Sequence, residues 1–307
     1  MTKGFGVSSV HTLSVNKDGD YIDLYTGENM NIIAKKYSLM KFGSVAEINE
    51  ASDEIYRQFV KNIEEYLPFL EEVKKKGEYI AIAAPGYRNV ESASNAIIDK
   101  AIKRINIVLS MRELPTIIVV KLPRLESNKA NYATLSSDER HSLPPSTDQI
   151  MPGREFFQFP IHFIFGDDIK ITGATANGAK KATEHFGGKS FSEMYWVALD
   201  PMLTSKYPGI EDKINQAHIK DELNEDIKYI LDQNDFQPVQ RLIRLILNEK
   251  NRPRLASFLE KVPDSSLSKL FISAHNNDYP KNILYSESVS ILNGEMKVRG
   301  LMSEEVI

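Results

Sequence analysis

Four short apolar runs lie between Tyr79 and Leu199. Each has the length of a buried strand, and helical patterns or long connections separate one run from the next. This alternation is typical of an α/β fold with a doubly wound, mostly parallel sheet. The runs are Tyr79 to Ala83, Pro115 to Lys121, Ile161 to Phe165 and Met194 to Leu199.

Apolar positions at helical spacing predict helices around these runs. Between Val45 and Lys76 the spacing predicts one long helix or two consecutive helices, with a break at Pro68. A further helix is expected from about Val90 to Ile107. The segment Tyr21 to Tyr25 reads YIDLY, which indicates a short strand or hairpin before the main body.

After Pro208 the pattern becomes helical, with apolar residues on the inward faces. We therefore predict an α/β domain at residues 1–205, including an N-terminal hood segment, and a helical extension at residues 206–307. The long polar connection from Leu122 to Met151 is typical of a functional lid or of a disordered segment. The predicted helices of the extension are about Gly209 to Leu231, Pro238 to Asn248, Pro253 to Lys261 and Ser266 to His275.

Composition narrows the class of protein. The 307 residues carry a formal net charge of -4 with a pI near 5.9, which gives no broad basic field for nucleic acid. There is no cysteine, so disulfides and thiolate chemistry are excluded. Neither a leader nor a long apolar span is visible, so we expect a soluble, cytoplasmic protein that does not enter a membrane.

The most informative segment runs from Asp167 to Thr175. A buried strand delivers two adjacent carboxylates to the carboxyl edge of the sheet, where open α/β sheets bind their ligands. The turn that follows leads into a helix, and its backbone N–H groups favour a phosphate. Because carboxylates repel phosphate, Asp167 and Asp168 suit hydroxyl groups or a cation, and a ribose 5-phosphate meets both demands. The alternative is a structural turn whose acidic pair caps the helix.

The same segment resembles the motif with which type I phosphoribosyltransferases bind 5-phosphoribosyl 1-diphosphate (PRPP). In that motif four apolar residues precede two acidic residues and a Thr-Gly-x-Thr turn, and this chain departs only at Gly166, where a fourth apolar residue is common. The resemblance implies that Asp167 and Asp168 hold the ribose hydroxyls and Mg²⁺, directly or through water. It implies that the 5-phosphate is bound by Lys170, Ile171, Thr172, Gly173, Ala174 and Thr175.

Three further parts of the site are expected from the family's plan. The diphosphate-binding loop falls at Pro85, Gly86, Tyr87 and Arg88, where an ordinary turn is an equal alternative. Basic residues of a closing loop between the second and third strands are candidates to bind the diphosphate. They are Lys121, Arg124, Lys129 and Arg140. For any one of these residues, a solvated loop charge is the alternative. Lys41, Phe42 and Ser44 are candidates for an acceptor-recognising hood, although Phe42 also suits a core position.

The resemblance implies an enzyme that transfers a 5-phosphoribosyl group between PRPP and a nitrogen acceptor. Members that act on 6-oxopurines carry an Asp just before the Thr-Gly pair, whereas this chain carries Ile171, which argues against that acceptor class. Two other functions stay open: a non-catalytic sensor of PRPP or nucleotide, and the reverse reaction that removes the group. The acceptor is unidentified, and a homodimer is compatible with the family.

Overall fold

The structure is a computed structural model that describes residues 4–123, 152–207 and 209–302. Its contacts divide the chain into two compact units. The first comprises Met1–Ile32, Asn49–Tyr87 and Ser94–Glu211, and the second comprises Ile33–Ile48, Arg88–Ala93 and Asp212–Ile307. The predicted domain boundary at residue 205 stays a prediction.

A six-stranded sheet in the order β2-β1-β6-β5-β3-β4 forms the centre of the first unit. All neighbouring strands pair in parallel except the edge pair β1–β2, which is antiparallel. The mostly parallel sheet of the sequence prediction is therefore confirmed. The strands are β1 (Val7–Val15), β2 (Tyr21–Asp23), β3 (Tyr79–Ala83), β4 (Ile117–Val119), β5 (Ile161–Lys170) and β6 (Ser190–Leu199).

Helices cover both faces of this sheet, as a doubly wound fold requires. On one face Phe69 packs edge-to-face on His162, and the indole of Trp196 donates a hydrogen bond to Glu54. On the other face Ala176 and Ala179 pack against apolar side chains of the strands. In the described residues before β6 the helices are α1 (Asn31–Lys41), α2 (Val45–Lys61), α3 (Ile63–Lys76), α4 (Ala93–Met111), α5 (Arg154–Phe157) and α6 (Ala174–His185).

The chain after β6 is helical, as the sequence predicts. The expected helix from Gly209 to Leu231 is two shorter helices, and the last helix of the chain was not predicted. These helices are α7 (Pro201–Lys206), α8 (Ile210–Asn215), α9 (Glu225–Leu231), α10 (Gln240–Ile246), α11 (Arg252–Leu259), α12 (Asp264–Asn276) and α13 (Ser286–Val298), with short 3₁₀ turns at Glu249–Asn251 and Tyr279–Lys281. Among the described residues, no helix combines the length and the hydropathy that crossing a bilayer requires.

Two local predictions were wrong. Pro68 lies inside α3, and the interruption falls at Asn62. Pro68 is the sixth residue of α3, so the helix continues past it and lacks only the backbone hydrogen bond that an N–H at this position would donate. The third strand also continues past Phe165 to Lys170, so the acidic pair belongs to the strand.

Candidate functional site

The two aspartates of the motif lie on a strand that outreaches one of its neighbours. Pairing between β5 and β3 ends at Phe165 with Ala83, whereas pairing between β5 and β6 continues as far as Lys170 with Ala198. Residues 166–170 therefore extend beyond β3 at the carboxyl edge of the sheet. After Ala83 the chain continues as residues 84–92, which form neither strand nor helix, so β3 does not extend beside residues 166–170.

The aspartates differ in their surroundings. Successive side chains of a strand point to opposite faces, so the two carboxylates do not lie side by side. Asp167 is half-buried and pairs in register with Tyr195, while Asp168 is only 1% exposed. The backbone N–H of Asp168 donates to the Asp167 carboxylate at 2.9 Å. Asp167 is thus the member of the pair that a solvent-borne ligand reaches more readily.

The turn after β5 is open to solvent and leads straight into α6. Thr172, Ala174 and Thr175 are exposed, and Gly173 adopts the left-handed conformation with φ 73°. The N-cap residue Gly173 has no side chain to cap α6. The backbone N–H of Ala174 donates to Thr172 Oγ1 at 3.4 Å. The first N–H groups of a helix lack partners within the helix and carry partial positive charge. The arrangement suits a bound anion.

Lys170 begins this turn and contacts two residues of β6. Its ammonium lies 2.6 Å from Glu193 Oε2, and the same oxygen accepts a 2.7 Å hydrogen bond from the Tyr195 hydroxyl. Lys170 Nζ also lies 5.4 Å from the centre of the Tyr195 ring. Burial, together with the hydrogen bond to Glu193, raises the pKa of the Tyr195 phenol further above neutral pH. We call Lys170, Glu193 and Tyr195 the Lys170 cluster.

Most of the predicted diphosphate loop belongs to the same unit and the same sheet edge. Pro85, Gly86 and Tyr87 follow the end of β3. The backbone N–H of Tyr87 donates to the Leu122 carbonyl at 3.2 Å, and Lys121 Nζ lies 4.3 Å from the centre of the Tyr87 ring. Lys121 and the loop are therefore neighbours, as a shared diphosphate site requires.

Arg88 and the acceptor-hood candidates belong to the second unit. The Arg88 guanidinium lies 2.5 Å from Asp278, and this pairing holds the pKa of the Asp278 carboxyl below its usual range. Lys41 lies over the ring of Tyr37. Phe42 is 2% exposed, and Ser44 is buried and hydrogen-bonds to Gln233 at 3.0 Å. The burial of Phe42 and Ser44 gives both side chains a packing role.

The other basic loop candidates, Arg124, Lys129 and Arg140, lie outside the described residues. In the parts of the chain that the structure describes, no group of three or more His, Asp and Glu side chains is arranged to hold a metal ion.

Comparison with known proteins assigns the family. The PRTase ComF-like family model matches residues 22–292. The chain belongs to the PRTase ComF-like family. The match includes the motif, the sheet strands from β3 to β6 and most of the C-terminal helices. Neither the curated proteins nor the solved structures gave a match. Membership confirms the phosphoribosyltransferase-like fold and supports a phosphoribosyltransferase-type function in general.

The sequence analysis did not single out Glu193. In the structure its carboxylate accepts a hydrogen bond from the Lys170 ammonium, which connects it to the motif. A signal was present, since Glu193 is an acidic residue inside a strand with buried neighbours. Buried carboxylates are usually paired, which marks such a position for attention. Its partner was not readable, because the contact joins two strands through long side chains.

Proposed function

We propose that this protein binds PRPP together with Mg²⁺ and transfers the 5-phosphoribosyl group to or from a nitrogen acceptor, with diphosphate released in the forward direction. We propose that the protein is located in the cytoplasm, where PRPP would be available to it. The single observation that carries the proposal is the Asp167–Thr175 segment, with its half-buried carboxylate and solvent-exposed turn at the carboxyl edge of a parallel sheet. Family membership supports the same class of function.

Each part of the ligand has a candidate partner. The N–H groups of the turn at Gly173 and of the first turn of α6 suit the 5-phosphate, because a helix N-terminus favours negative charge. The Asp167 carboxylate suits the ribose hydroxyls, which donate hydrogen bonds to it. Asp168 is 1% exposed, so we expect it to act mainly by holding the end of β5 in place.

The Asp167 carboxylate, together with oxygen atoms of bound PRPP, would supply the oxygen ligands that Mg²⁺ prefers. Mg²⁺ keeps several waters and is usually held by one or two carboxylates together with substrate phosphates. Asp167 is the residue that would hold it, through water, on the ribose side. When bound, the ion would neutralise negative charge on the diphosphate. The two aspartates point to opposite faces of the sheet, which argues against joint direct coordination by both carboxylates.

The protein's own contribution to transfer would be placement and electrostatics. Positive charge develops on the ribose ring as the bond to diphosphate loosens, and the Asp167 carboxylate would offer negative potential beside it. Lys121, next to the loop at Tyr87, would supply a charge-assisted hydrogen bond to the departing diphosphate. Ile171 offers no proton acceptor to a purine, which favours another kind of acceptor.

Calorimetric titration of PRPP in the presence of MgCl₂ tests the binding step. The unmodified protein should bind, and Asp167→Asn should weaken binding about tenfold or more, since a charge-assisted bond contributes about 1.5–3 kcal/mol. Asp18→Asn makes the same chemical change at an exposed residue of the β1–β2 turn and should leave the affinity unchanged. Absence of any heat with PRPP and magnesium would overturn the proposal.

A second assay separates transfer from sensing. Diphosphate release is followed with PRPP, Mg²⁺ and a panel of nitrogen bases, and with PRPP alone. Release that depends on one base identifies the acceptor class. Binding that Asp167→Asn abolishes, with no release under any condition, would replace the enzyme by a non-catalytic PRPP sensor of the same fold.

A further inference from the structure

The side chain of Lys170 lies against the turn that follows it in the chain. A Cβ on Gly173 would lie 3.3 Å from Lys170 Cε and 3.9 Å from Lys170 Nζ, so the lysine fills the space beside the absent side chain. Gly173 also has φ 73°, a conformation that is strained for most other residues. The glycine therefore permits the turn and also lets Lys170 pack close to its backbone.

The ammonium of the Lys170 cluster is held on the neighbouring strand β6. It contacts Glu193 Oε2 at 2.6 Å, and the same oxygen accepts the 2.7 Å hydrogen bond of the Tyr195 hydroxyl. The Glu193 side chain is only 14% exposed and Tyr195 is buried, so the carboxylate has little freedom to move. Charge-assisted hydrogen bonds of this kind are stronger than neutral ones. Lys170 is thus fixed at both ends, by its backbone in β5 and by its ammonium on β6.

The turn that Lys170 packs against is open to solvent at Thr172, Ala174 and Thr175. Exposed loops are the more mobile parts of a protein, and ordering their backbone reduces conformational entropy. A loop that is ordered before its ligand arrives loses less entropy on binding and therefore binds more tightly. A fixed side chain against the turn provides such ordering in advance.

We propose that Glu193 is a positioning residue, which fixes Lys170 against Gly173, orders the turn before a ligand binds and so raises the affinity for the 5-phosphate. This inference rests on the proposed function and adds a residue outside the motif that supports it. Glu193 does not touch the ligand. Lys170 acts by packing on the turn, and the amides of the turn bind the phosphate.

A direct role of Lys170 predicts the opposite effect of Glu193. If the ammonium bound the phosphate itself, Glu193 would compete with the ligand for Lys170. Removal of the Glu193 charge would then strengthen binding. In the positioning role, the same change loosens the turn and weakens binding. The sign of the change in affinity therefore distinguishes the two roles.

Replacing Glu193 by glutamine tests this sign, with ribose 5-phosphate in MgCl₂ as the probe and calorimetry as the measurement. Glu193→Gln should bind about fivefold more weakly than the unmodified protein, because a neutral amide holds the ammonium less firmly than a carboxylate does. Glu184→Gln makes the same chemical change at the exposed end of α6 and should leave the affinity unchanged. Equal or tighter binding by Glu193→Gln would overturn the inference.

A double-mutant cycle tests whether Glu193 acts through Lys170. Lys170→Met removes the ammonium and keeps a long side chain, and it should also weaken binding about fivefold. Adding Glu193→Gln to Lys170→Met should weaken binding no further, since both changes break the same support. Losses that multiply to about 25-fold would mean that the two residues act independently, which contradicts the inference.

Hydrogen exchange of the ligand-free protein reports the order of the turn directly. The backbone N–H of Asn177 donates to the Gly173 carbonyl at 2.8 Å, so its exchange rate follows the hold on Gly173. In Lys170→Met and in Glu193→Gln this rate should rise about fivefold, measured by nuclear magnetic resonance. The N–H of Phe186, bonded at the other end of α6 to the Ala182 carbonyl, is the internal control and should be unchanged.

Lys170→Met keeps this test valid if Glu193→Gln does not fold, because Lys170 is 29% exposed and is the less buried partner. A lysine that only binds phosphate would leave the exchange of Asn177 unchanged, and that result would overturn the positioning role.

The outcomes separate this inference from the function on which it rests. If the unmodified protein binds ribose 5-phosphate and Glu193→Gln binds it equally well, the positioning role is wrong and the proposed function stands. If the unmodified protein binds neither ribose 5-phosphate nor PRPP in MgCl₂, both are overturned, whatever the exchange rates are.

Discussion

Gly166 is the residue at which this chain departs from the usual motif, and packing explains the departure. A Cβ at this position would lie 2.9 Å from Ile98 Cδ1 and 3.1 Å from Ile82 Cδ1. Both neighbours are fully buried, so they have little room to yield. The missing side chain lets α4 approach β5 closely, just before the acidic pair.

We predict that Gly166→Ala lowers the free energy of unfolding by about 1–3 kcal/mol, as overpacking of a core does. Urea unfolding followed by circular dichroism measures the change. Gly178→Ala is the matched control, since a Cβ there meets nothing within 4 Å and the residue lies inside α6. That control should raise stability by about 0.5–1 kcal/mol, because alanine favours a helix. Equal effects of the two substitutions would refute the packing explanation.

At this scale the sequence predicted residue types better than residue partners. The order of Asp167, Asp168 and Gly173 is a local pattern, and it was readable because family motifs are contiguous. The pairing of Lys170 with Glu193, and of Arg88 with Asp278, joins residues far apart in the chain. A sequence contains no direct signal for such contacts, because they depend on how the strands and helices are arranged in space.

At the scale of elements, strand cores were predicted and strand ends were not. The run from Tyr79 to Ala83 is β3 as expected, because a short apolar run of this length is typical of a strand buried inside a sheet. The end of β5 depends on its neighbours, because pairing with β6 continues where pairing with β3 has stopped. Polar residues such as Asp167 therefore became part of a strand against their own propensity.

The link between α12 and the 3₁₀ turn at Tyr279–Lys281 carries an ion pair with a predictable pH dependence. Asp278 has φ 56°, a conformation that asparagine and aspartate tolerate best, so Asp278→Asn removes the charge and keeps the backbone preference. Arg88 is the main cause of the lowered pKa of Asp278. A lowered pKa means that the carboxylate stabilises the fold above its unfolded pKa, near 3.8, and that this contribution is lost as the pH falls through the folded value.

We therefore expect the unmodified protein to lose stability more steeply than Asp278→Asn does as the pH falls below about 4. Thermal unfolding across this range measures the two slopes. Asp235→Asn, at an exposed position of the same unit, should retain the slope of the unmodified protein. Arg88→Gln should behave like Asp278→Asn, and a steep slope in that variant would show that Arg88 does not set the effect.

For the whole molecule, the class of fold followed from the alternation of apolar runs with helical patterns, and the family match confirms it. Of the short strand or hairpin expected before the main body, β2 lies at Tyr21–Asp23, whereas the bounds of its partner β1 were not predicted. Its sequence, VSSVHTLSV, has few apolar residues, and only Leu13 is fully buried. A strand of this kind is recognisable only once β6 and β2 are in place on its two sides.

The position of β1 predicts that the N-terminal segment is required for the sheet. It pairs with β6 in parallel from Val7 to Leu13 and separates β6 from β2, although the family match begins only at residue 22. Removing residues 1–20 would expose the edge of β6 and the side chains that pack on Leu13. Exposed strand edges of this kind pair with other chains. We expect the truncated protein to aggregate or to lose cooperative unfolding, as seen by size-exclusion chromatography and calorimetry.

Two point substitutions in β1 separate a general need for the strand from the loss of one buried side chain. Leu13→Ala removes a fully buried residue and should lower the free energy of unfolding by about 2–4 kcal/mol. Val7→Ala, at the 62% exposed start of the strand, should change it by less than about 0.5 kcal/mol. A truncated protein that unfolds cooperatively as a monomer would contradict this prediction. The later strands would then form a stable sheet by themselves, and the parallel pairing of β1 with β6 would not be required for folding.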